Sequence, residues 1–494
     1  MSASASPIDK ELKEVFYEYI DNEIPIHLLH ISKDDQKIKV QLVNRNFIKE
    51  RFFDPVLKKI SAEFPKTTPM DEDREDRIKA RLKEELKYAM FSHRWLSDEE
   101  EPLHCDVSKG LIELSDRPGK GWQKLENFCR AAIDDHDCEF AWSDTCCIDK
   151  TSSSELDESI RSMFRWYRNS HVCIALLSGT AHIAALQKQE KGERGEEANI
   201  DAWFTRGWTL QELLAPLRIK FYGNDWKPLI KDPTNDRDNE VIMSKISDLT
   251  NIDVTDLRSF TPGIDRVPEK MLWASRRRTT RIEDVAYSLI GILDISFMIA
   301  YGEGNKAFFR LMEEILKRYD KWDVFLWSGR CSRYNAALPN APHCYVGGCT
   351  ETSHSAVDEG APYENGDRRF ALTNHGLEVR VLLLEVEADI SQYSHNSCIT
   401  FRHDHFKVDV TYLGPKHKLH DANWAIGVLD YCVVSDEEGF IDRSSPFTGF
   451  LLSSNANASP HLAATAKWKK EMTKEVIIFR SPDHVEGRPT LLYL

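Results

Sequence analysis

The sequence predicts an α/β fold: a parallel sheet flanked by helices, then a helical segment and a β-rich C-terminal region. Three observations carry this. Four short apolar runs, "YAMFS" (88–92), "EFAWSD" (139–144), "VCIALLS" (172–178) and "RIKFYG" (218–223), are spaced like strands. Segments with helical periodicity lie between them, and strand alternating with helix argues for a parallel sheet covered on both faces. From about residue 320 onward, strand-like runs replace helical ones.

Residues 1–85 read as a lead-in. "IPIHLLHI" (24–31) and "KIKVQLV" (37–43) are candidate strands, and "DEDREDRIKARLKEELK" (71–87) is a candidate solvated helix. Residues 86–240 form the expected α/β domain. Trp122, Leu125, Phe128, Cys129 and Ala132 recur at helical spacing between the first two strands. Leu156, Ile160, Met163, Phe164 and Tyr167 do so between the second and third, behind the serine-rich cap "TSSSELDE". "QKQEKGERGEEANID" (187–201) is a polar loop expected to be mobile. Residues 241–320 read as a helical extension. "TTRIEDVAYSLIGIL" (279–293) opens with Thr280 and Glu283 in capping-box register, and "GEGNKAFFRLMEEILKR" (302–318) places Phe308, Leu311, Met312, Ile315 and Leu316 on one face. Its glycines lack the spacing and the lysine–hydroxyl ending of a phosphate loop. Residues 321–494 form the β-rich domain, with "FALTNHGLEVRVLLLEV", "CITFRHDHFKVDVTYL", "WAIGVLDYCVV", "TGFLLSS", "EVIIFRS" and "TLLYL" as its strands.

Composition narrows the function. With 41% hydrophobic and 29% charged residues, the 494-residue chain is an ordinary globular one. A net charge of −15 argues against nonspecific nucleic-acid binding, which needs a basic footprint. No run of about 18 apolar residues marks a membrane span, and "MSASASPIDKELKEV" lacks the apolar core of a signal peptide. The expected location is the cytoplasm or nucleus. Eleven cysteines without a CxxC pair read as free thiols, including adjacent Cys146 and Cys147. The histidines at 403, 405, 417 and 420 lack partners at ligand spacing, so no metal is expected.

One stretch carries chemistry. In "WFTRGWTLQELLAP" (203–216) a short helix begins at Thr209 and stops at Pro216. At 3.6 residues per turn, Leu210, Leu213 and Leu214 share the face that packs on the sheet, while Trp208, Gln211, Glu212 and Ala215 share the other. Trp208 and Glu212 are neighbours at i and i+4. In a parallel sheet, ligands bind at the carboxyl ends of the strands, here Ser92, His93 and Arg94, then Asp144, then Ser178. Indoles, the Arg206 guanidinium and the Glu212 carboxylate suit a base, a phosphate and a ribose diol. A solvated helix face with an incidental tryptophan is the alternative.

These residues also carry a family resemblance. "YAMFSHRW" (88–95), "FAWSDTCCIDK" (140–150), "SELDESIRSMFRWYRNS" (154–170), "VCIALLS" and "WFTRGWTLQELLAP" resemble the successive motifs of the fungal heterokaryon-incompatibility (HET) domain. "WASRRRTTRIEDVAYSLIGILDI" and "AYGEGNKAFFRLMEEILK" resemble the segment that follows it in many such proteins. The likeness runs from about 88 to 318. "SHRWL" departs from it by lacking the glycine that many members carry after the tryptophan. HET domains in turn resemble TIR domains, which have a flavodoxin-like parallel sheet. "WTLQEL" (208–213) follows the TIR helix motif, with Thr209 in place of cysteine.

By that resemblance Glu212 is the catalytic acid of an NAD-cleaving site, with NAD or a related nucleotide as substrate and no cofactor required. Ser92, His93, Arg94, Trp95, Asp144, Arg206 and Trp208 are the candidate substrate-binding residues. Trp208 or Trp95 stacks the ring, and Arg94 or Arg206 meets the pyrophosphate. Arg94 in a salt bridge, Asp144 as a cap and His93 as a hydrogen-bonded loop residue are the structural alternatives. The resemblance further implies self-association, an unidentified protein trigger and a role in programmed cell death. A non-enzymatic signalling module is the competing reading. The C-terminal region is expected to recognise a partner or to inhibit.

Overall fold

The structure, a computed structural model, describes residues 7–35, 37–63, 71–97, 99–186, 201–232, 234–347, 370–390, 398–433, 438–441, 446–455 and 468–494. Of the polar loop expected at 187–201, all but Asp201 lies outside the described residues. The chain divides into two compact units, Met1–Pro262 with Ser288–Ile292, and Gly263–Tyr287 with Leu293–Leu494. No helix among the described residues is long and apolar enough to cross a membrane.

The first unit is built on one sheet. Its strands are β1 (His27–Asp34), β2 (Lys37–Asn44), β3 (Tyr88–Ser92), β4 (Ile112–Glu113), β5 (Phe140–Trp142), β6 (Val172–Leu176) and β7 (Ile219–Tyr222). Helices α1 (Pro7–Asn22), α2 (Arg45–Glu63), α3 (Glu72–Glu85), α4 (His104–Val107), α5 (Lys120–Asp134), α6 (Ser153–Asn169), α7 (Thr209–Leu214), α8 (Glu240–Thr250) and α9 (Val254–Ser259) surround it. The strand order is β4-β2-β1-β5-β3-β6-β7. Only β5, β3, β6 and β7 are parallel; β1 pairs antiparallel with β5 and with β2, and β4 pairs antiparallel with β2. The sheet is therefore mixed: the four apolar runs form its parallel core, and the two N-terminal strands extend it.

Burial explains the composition of the parallel strands. Every residue of β3, β5, β6 and β7 is buried, as expected of strands covered on both faces. Phe91 of β3 stacks on Phe128 of α5 on one face, and Trp142 of β5 meets Trp166 and Tyr167 of α6 edge-on. Ser152 caps α6 by accepting from the Glu155 amide, as the serine-rich opening predicts.

In chain order the parallel strands run second, first, third, fourth across the sheet. The first connection, β3 to β5, runs to one side of β3, and the second, β5 to β6, crosses to its other side, so β3 and β6 flank a topological switch point. Ligands of open α/β sheets bind in the crevice outside the carboxyl ends of the strands at such a point. The C-terminal end of β3 is Ser92.

This unit also carries a pH sensitivity. Burial lowers the pKa of His30, His93 and His171, and that of His136 to about 4. An unfolded imidazole binds its proton at about pH 6.5. Between pH 6.5 and about 4 the unfolded chain therefore holds more protons at His136 than the folded one, so stability falls as pH drops through that window and is level above it. Each such group steepens the acid slope by up to about 1.4 kcal/mol per pH unit. We expect His136→Gln to give a shallower loss of stability between pH 7 and 5 than the parent, read by denaturant-dependent hydrogen exchange in β7.

The second unit begins with α10 (Val267–Ala274), α11 (Asp284–Tyr287) and α12 (Lys306–Leu316). Phe308, Leu311, Met312, Ile315 and Leu316 of α12 are all buried, as their spacing predicts. The helix expected at 279–293 is only the single turn of α11. Glu283 does not act as a capping-box acid; its carboxylate accepts the Gly302 and Gly304 amides, tying this segment to the turn before α12.

The antiparallel strands β8 (Phe370–Thr373), β9 (Gly376–Asp389), β10 (Cys398–Arg402), β11 (Lys407–Thr411) and β12 (Ala422–Val428) follow. After them come β13 (Cys432–Val433), β14 (Gly439–Ile441), β15 (Phe447–Asn455), β16 (Lys469–Lys470), β17 (Ile477–Phe479), β18 (Val485–Gly487) and β19 (Pro489–Tyr493). Strands β13, β14 and β18 form a small sheet and the rest form one of nine strands. Its core gathers Leu382, Phe401, Tyr412, Trp424, Ile426 and Phe479.

Candidate functional site

Glu212 lies on α7, all six residues of which are buried. The helix thus has no solvated face. Leu210, Leu213 and Leu214 are buried as expected, but so are Gln211, whose amide lies 3.2 Å from the Met163 sulfur, and Glu212, only 6% exposed. Among the partners of the Glu212 carboxylate is Ser92, which donates its hydroxyl to Oε2 at 2.5 Å. The same Ser92 oxygen accepts from the Trp203 indole Nε1 at 2.8 Å. An indole, a hydroxyl and a carboxylate thus form one buried chain at the end of β3, beside the switch point.

Asp201 sets the position of Trp203. Its carboxylate accepts the Gly179 amide at 2.8 Å and the Thr180 hydroxyl at 3.1 Å, pinning the turn after β6. It also caps the 3-10 turn 202–205 by accepting the Trp203 amide at 3.0 Å. Thr209 closes the same turn by donating its hydroxyl to the Trp203 and Arg206 carbonyls.

A second cluster joins the ends of β3 and β5. His93 is buried, stacked on Phe91 with ring centroids 4.1 Å apart. Its Nε2 lies 3.3 Å from the Ser143 hydroxyl and 3.4 Å from Asp144 Oδ1, while Nδ1 is buried without a hydrogen-bond partner among the described residues. This pattern assigns the proton to Nε2, facing the carboxylate. Burial, then the Lys124 charge, lower the His93 pKa and keep the ring neutral at pH 7. Asp144 also accepts the Trp95 indole N–H, at 2.8 and 3.1 Å to its two oxygens. Burial pushes the Asp144 pKa up, but the His93 hydrogen bond, then Lys150 and Arg206, outweigh it and hold the acid ionised. Lys150 Nζ sits 3.8 Å from the Trp95 ring centre and the Arg206 guanidinium 5.8 Å from it.

Glu101 shapes the loop after Trp95. It accepts the Leu96 amide at 2.7 Å and pairs with buried Lys124, whose ammonium also reaches the Arg94 carbonyl at 3.3 Å. Gly121 is required here, because a Cβ would stand 1.9 Å from the Glu100 carbonyl oxygen. This acid, lysine and glycine brace the loop that follows Trp95.

The expected site residues therefore fall into two groups. Ser92 and Glu212 form one; His93, Trp95, Asp144 and Arg206 form the other. Ser92 and His93 are adjacent, and the 202–206 segment gives Trp203 to the first group and Arg206 to the second. Both carboxylates act on the Tyr167 hydroxyl, whose pKa is raised first by burial, then by Glu212, and further by Cys173 and Asp144. Arg94 and Trp208 join neither group. Arg94 is exposed, and the half-buried Trp208 ring makes no ring contact or hydrogen bond among the described residues. The indoles at the site are Trp203 and Trp95. Lys150, Ser143 and Asp201 were not anticipated; the capping Asp201 two residues before Trp203 is the signal that marks it. Cys146 and Cys147 are buried free thiols, and burial pushes the Cys147 pKa up. Among the described residues no three His, Cys, Asp or Glu side chains gather to hold a metal ion.

The family model described as "Heterokaryon incompatibility protein (HET)" matches residues 88–202. The chain carries a HET domain. That match takes in Ser92, His93, Arg94, Trp95 and Asp144, and ends before Arg206, Trp208 and Glu212. The chain is also 38% identical over 233 residues to vegetative incompatibility protein HET-E-1 of Podospora anserina. The aligned part is 47% of this chain and 16% of that protein, so the chain spans about a sixth of its relative's length. No solved structure matches.

Within the HET domain, Ser92→Ala removes the shared hydroxyl and leaves the Trp203 N–H and the Glu212 carboxylate each short of a buried partner. We expect a loss of about 1–3 kcal/mol in unfolding free energy. Urea titration of parent and variant, followed by hydrogen exchange in β3, reads it.

Proposed function

We propose that this chain is an incompatibility-type cell-death effector whose HET domain cleaves NAD, or a related nucleotide, between nicotinamide and ribose. The observation that carries the reading is the buried Glu212 carboxylate held by Ser92 at the switch point of the sheet. Cleavage passes through an oxocarbenium-like ribose, as in glycoside hydrolysis. The C–N bond breaks with its electron pair going to nicotinamide, which neutralises the pyridinium ring. No general acid is needed for that departure. Water then adds to the ribose carbon and loses a proton. A carboxylate beside the ribose hydroxyls orients them and stabilises the developing positive charge.

Arg206 and Lys150 are the cations suited to the pyrophosphate, and Trp95 is the ring suited to stacking. Lys150 already covers Trp95, so a stacked base takes its place. Likewise, ribose hydroxyls replace the Ser92 hydroxyl as donors to Glu212. At 6% exposure the acid is closed off, which supports a resting state opened by self-association. The trigger is a protein partner.

A second reading has the HET domain as a non-enzymatic signalling module. The burial of Glu212 favours it, because a hydrogen-bonded core acid needs no substrate. Incubating purified protein with NAD and following nicotinamide separates the two. Release by the parent and none by Glu212→Ala is the expected result. Equal release by both clears Glu212 of the role, and none by the parent in any assembly state leaves the signalling module.

The β-rich unit is proposed to restrain the HET domain. A chain ending at about residue 320, which keeps the first unit's Ser288–Ile292 segment, is expected to release nicotinamide faster than the full chain. Size-exclusion chromatography is expected to show more self-association as well.

A further inference from the structure

The Asp201 side chain, on a residue only 8% exposed, gathers donors from two separate segments. Oδ2 accepts the Gly179 amide at 2.8 Å and the Thr180 hydroxyl at 3.1 Å, and Oδ1 accepts the Trp203 amide at 3.0 Å. Gly179 and Thr180 belong to the turn after β6. The sheet holds that turn: the Thr180 amide donates to the Leu177 carbonyl at 3.1 Å, and the Thr180 carbonyl accepts the Asn224 amide, from beyond β7, at 2.8 Å. Capping the 3-10 turn 202–205 needs only the Trp203 amide. The bonds to Gly179 and Thr180 exceed what a cap requires, and they tie the capped segment to the sheet.

That segment supplies both groups of the site. Trp203 gives its indole N–H to Ser92, which in turn donates to Glu212. Further along, the Arg206 guanidinium stands 5.8 Å from the centre of the Trp95 ring, whose N–H is held by Asp144. Between them the turn is closed. The Arg206 amide donates to the Trp203 carbonyl at 3.4 Å, and the Thr209 hydroxyl donates to the Trp203 carbonyl at 2.5 Å and to that of Arg206 at 3.0 Å. A segment this short, fixed at both ends, moves as one body. The fit at the tie is close: a Cβ on Gly179 would stand 3.1 Å from Asp201 Oδ2.

We propose that Asp201 is a positioning residue that sets both groups of the site at once, by tying the 202–206 segment to the turn after β6. Without that tie the Trp203 N–H moves off Ser92 and the Arg206 guanidinium moves off Trp95 together. The kinetic consequence rests on the proposed cleavage of NAD; the geometric one does not. Ser92 and Glu212 act on the reacting ribose and register in kcat, whereas Arg206 meets the pyrophosphate and registers in KM. Asp201 touches no reacting atom and acts through both.

Indole N–H resonances of the full-length protein, labelled with 15N at tryptophan and referenced to Trp424 of the second unit, test this. Asp201→Ser keeps a hydroxyl able to cap the Trp203 amide and loses the tie to the β6 turn. Thr180→Val removes one tying donor at nearly constant shape, and Gly179→Ala crowds Oδ2 with the carboxylate still in place. In each, the Trp203 and Trp95 signals are expected to shift together, and exchange of the Trp203 indole hydrogen to quicken several-fold. Nicotinamide release by Asp201→Ser is expected to show kcat lowered and KM raised, each about tenfold. Placed on Trp203→Phe, the same substitution is expected to raise KM without lowering kcat further. Unchanged Trp203 and Trp95 signals in folded Asp201→Ser overturn the proposal. A shift of Trp203 alone, with KM unchanged, reduces Asp201 to a cap and overturns it as well. Should Asp201→Ser not fold, Thr180→Val is read in the same way. No nicotinamide release from the parent in any assembly state defeats the proposed reaction instead, and the two indole signals then decide on Asp201 alone.

Discussion

Glutamine in place of Glu212 is expected to reduce nicotinamide release by about two to three orders of magnitude while leaving the fold intact. Glutamine keeps an oxygen that accepts the Ser92 hydroxyl, so the buried chain from Trp203 survives. What is lost is the charge. Two unit charges about 4 Å apart at an effective dielectric of about 20 interact by roughly 4 kcal/mol, a ceiling for this term. That corresponds to a factor of about a thousand in rate. An unchanged thermal transition beside a collapsed rate separates the lost charge from a lost fold. The alanine variant does not separate them, because it also strands the Ser92 hydroxyl.

Asp236→Ala is expected to destabilise the first unit by about 3–5 kcal/mol, a large part of the roughly 5–15 kcal/mol that holds a typical domain folded. Lys220 and Asp236 are 3% and 0% exposed at their side chains and are joined at 2.8 Å. Asp236 also accepts the Phe221 amide at 2.8 Å, and Lys220 donates to the Ile230 carbonyl at 2.5 Å. Burial raises the Asp236 pKa, against the Lys220 hydrogen bond that favours the ionised form. Removing the acid leaves a buried ammonium without its counter-ion and an amide of β7 without its acceptor. Replacing both partners by apolar residues of similar size should cost much less, since a pair is cheaper to lose whole than by half. A double-mutant cycle in urea reads both values.

The parallel core was legible because each of its strands is a fully apolar run, and the helices between them repeat at one period. The role of the N-terminal strands was not. β1 reaches the sheet by pairing antiparallel with β5, more than a hundred residues away, and nothing local to "IPIHLLHI" announces that partner. The segment at 279–293 reads as a helix from its apolar spacing. It stops after one turn, where the Glu283 carboxylate is taken by two glycine amides from beyond the segment.

At the site, Glu212 and Ser92 stood out because one carboxylate sat in an apolar helix and one strand ended in a serine. The choice of indole was not legible. Helical spacing pairs Trp208 with Glu212, whereas the 3-10 turn capped by Asp201 presents Trp203 to Ser92 instead. Nor does "RIKFYG" single out Lys220, since its partner Asp236 lies beyond the strand in a turn of its own.

The most direct measurement separates the purified protein by assembly state, incubates each fraction with NAD and quantifies free nicotinamide in parent and Glu212→Gln. The account predicts turnover that rises with the assembled fraction of the parent and falls by about two to three orders of magnitude in the variant. Turnover undiminished in the variant, or no turnover in any parent fraction, contradicts it.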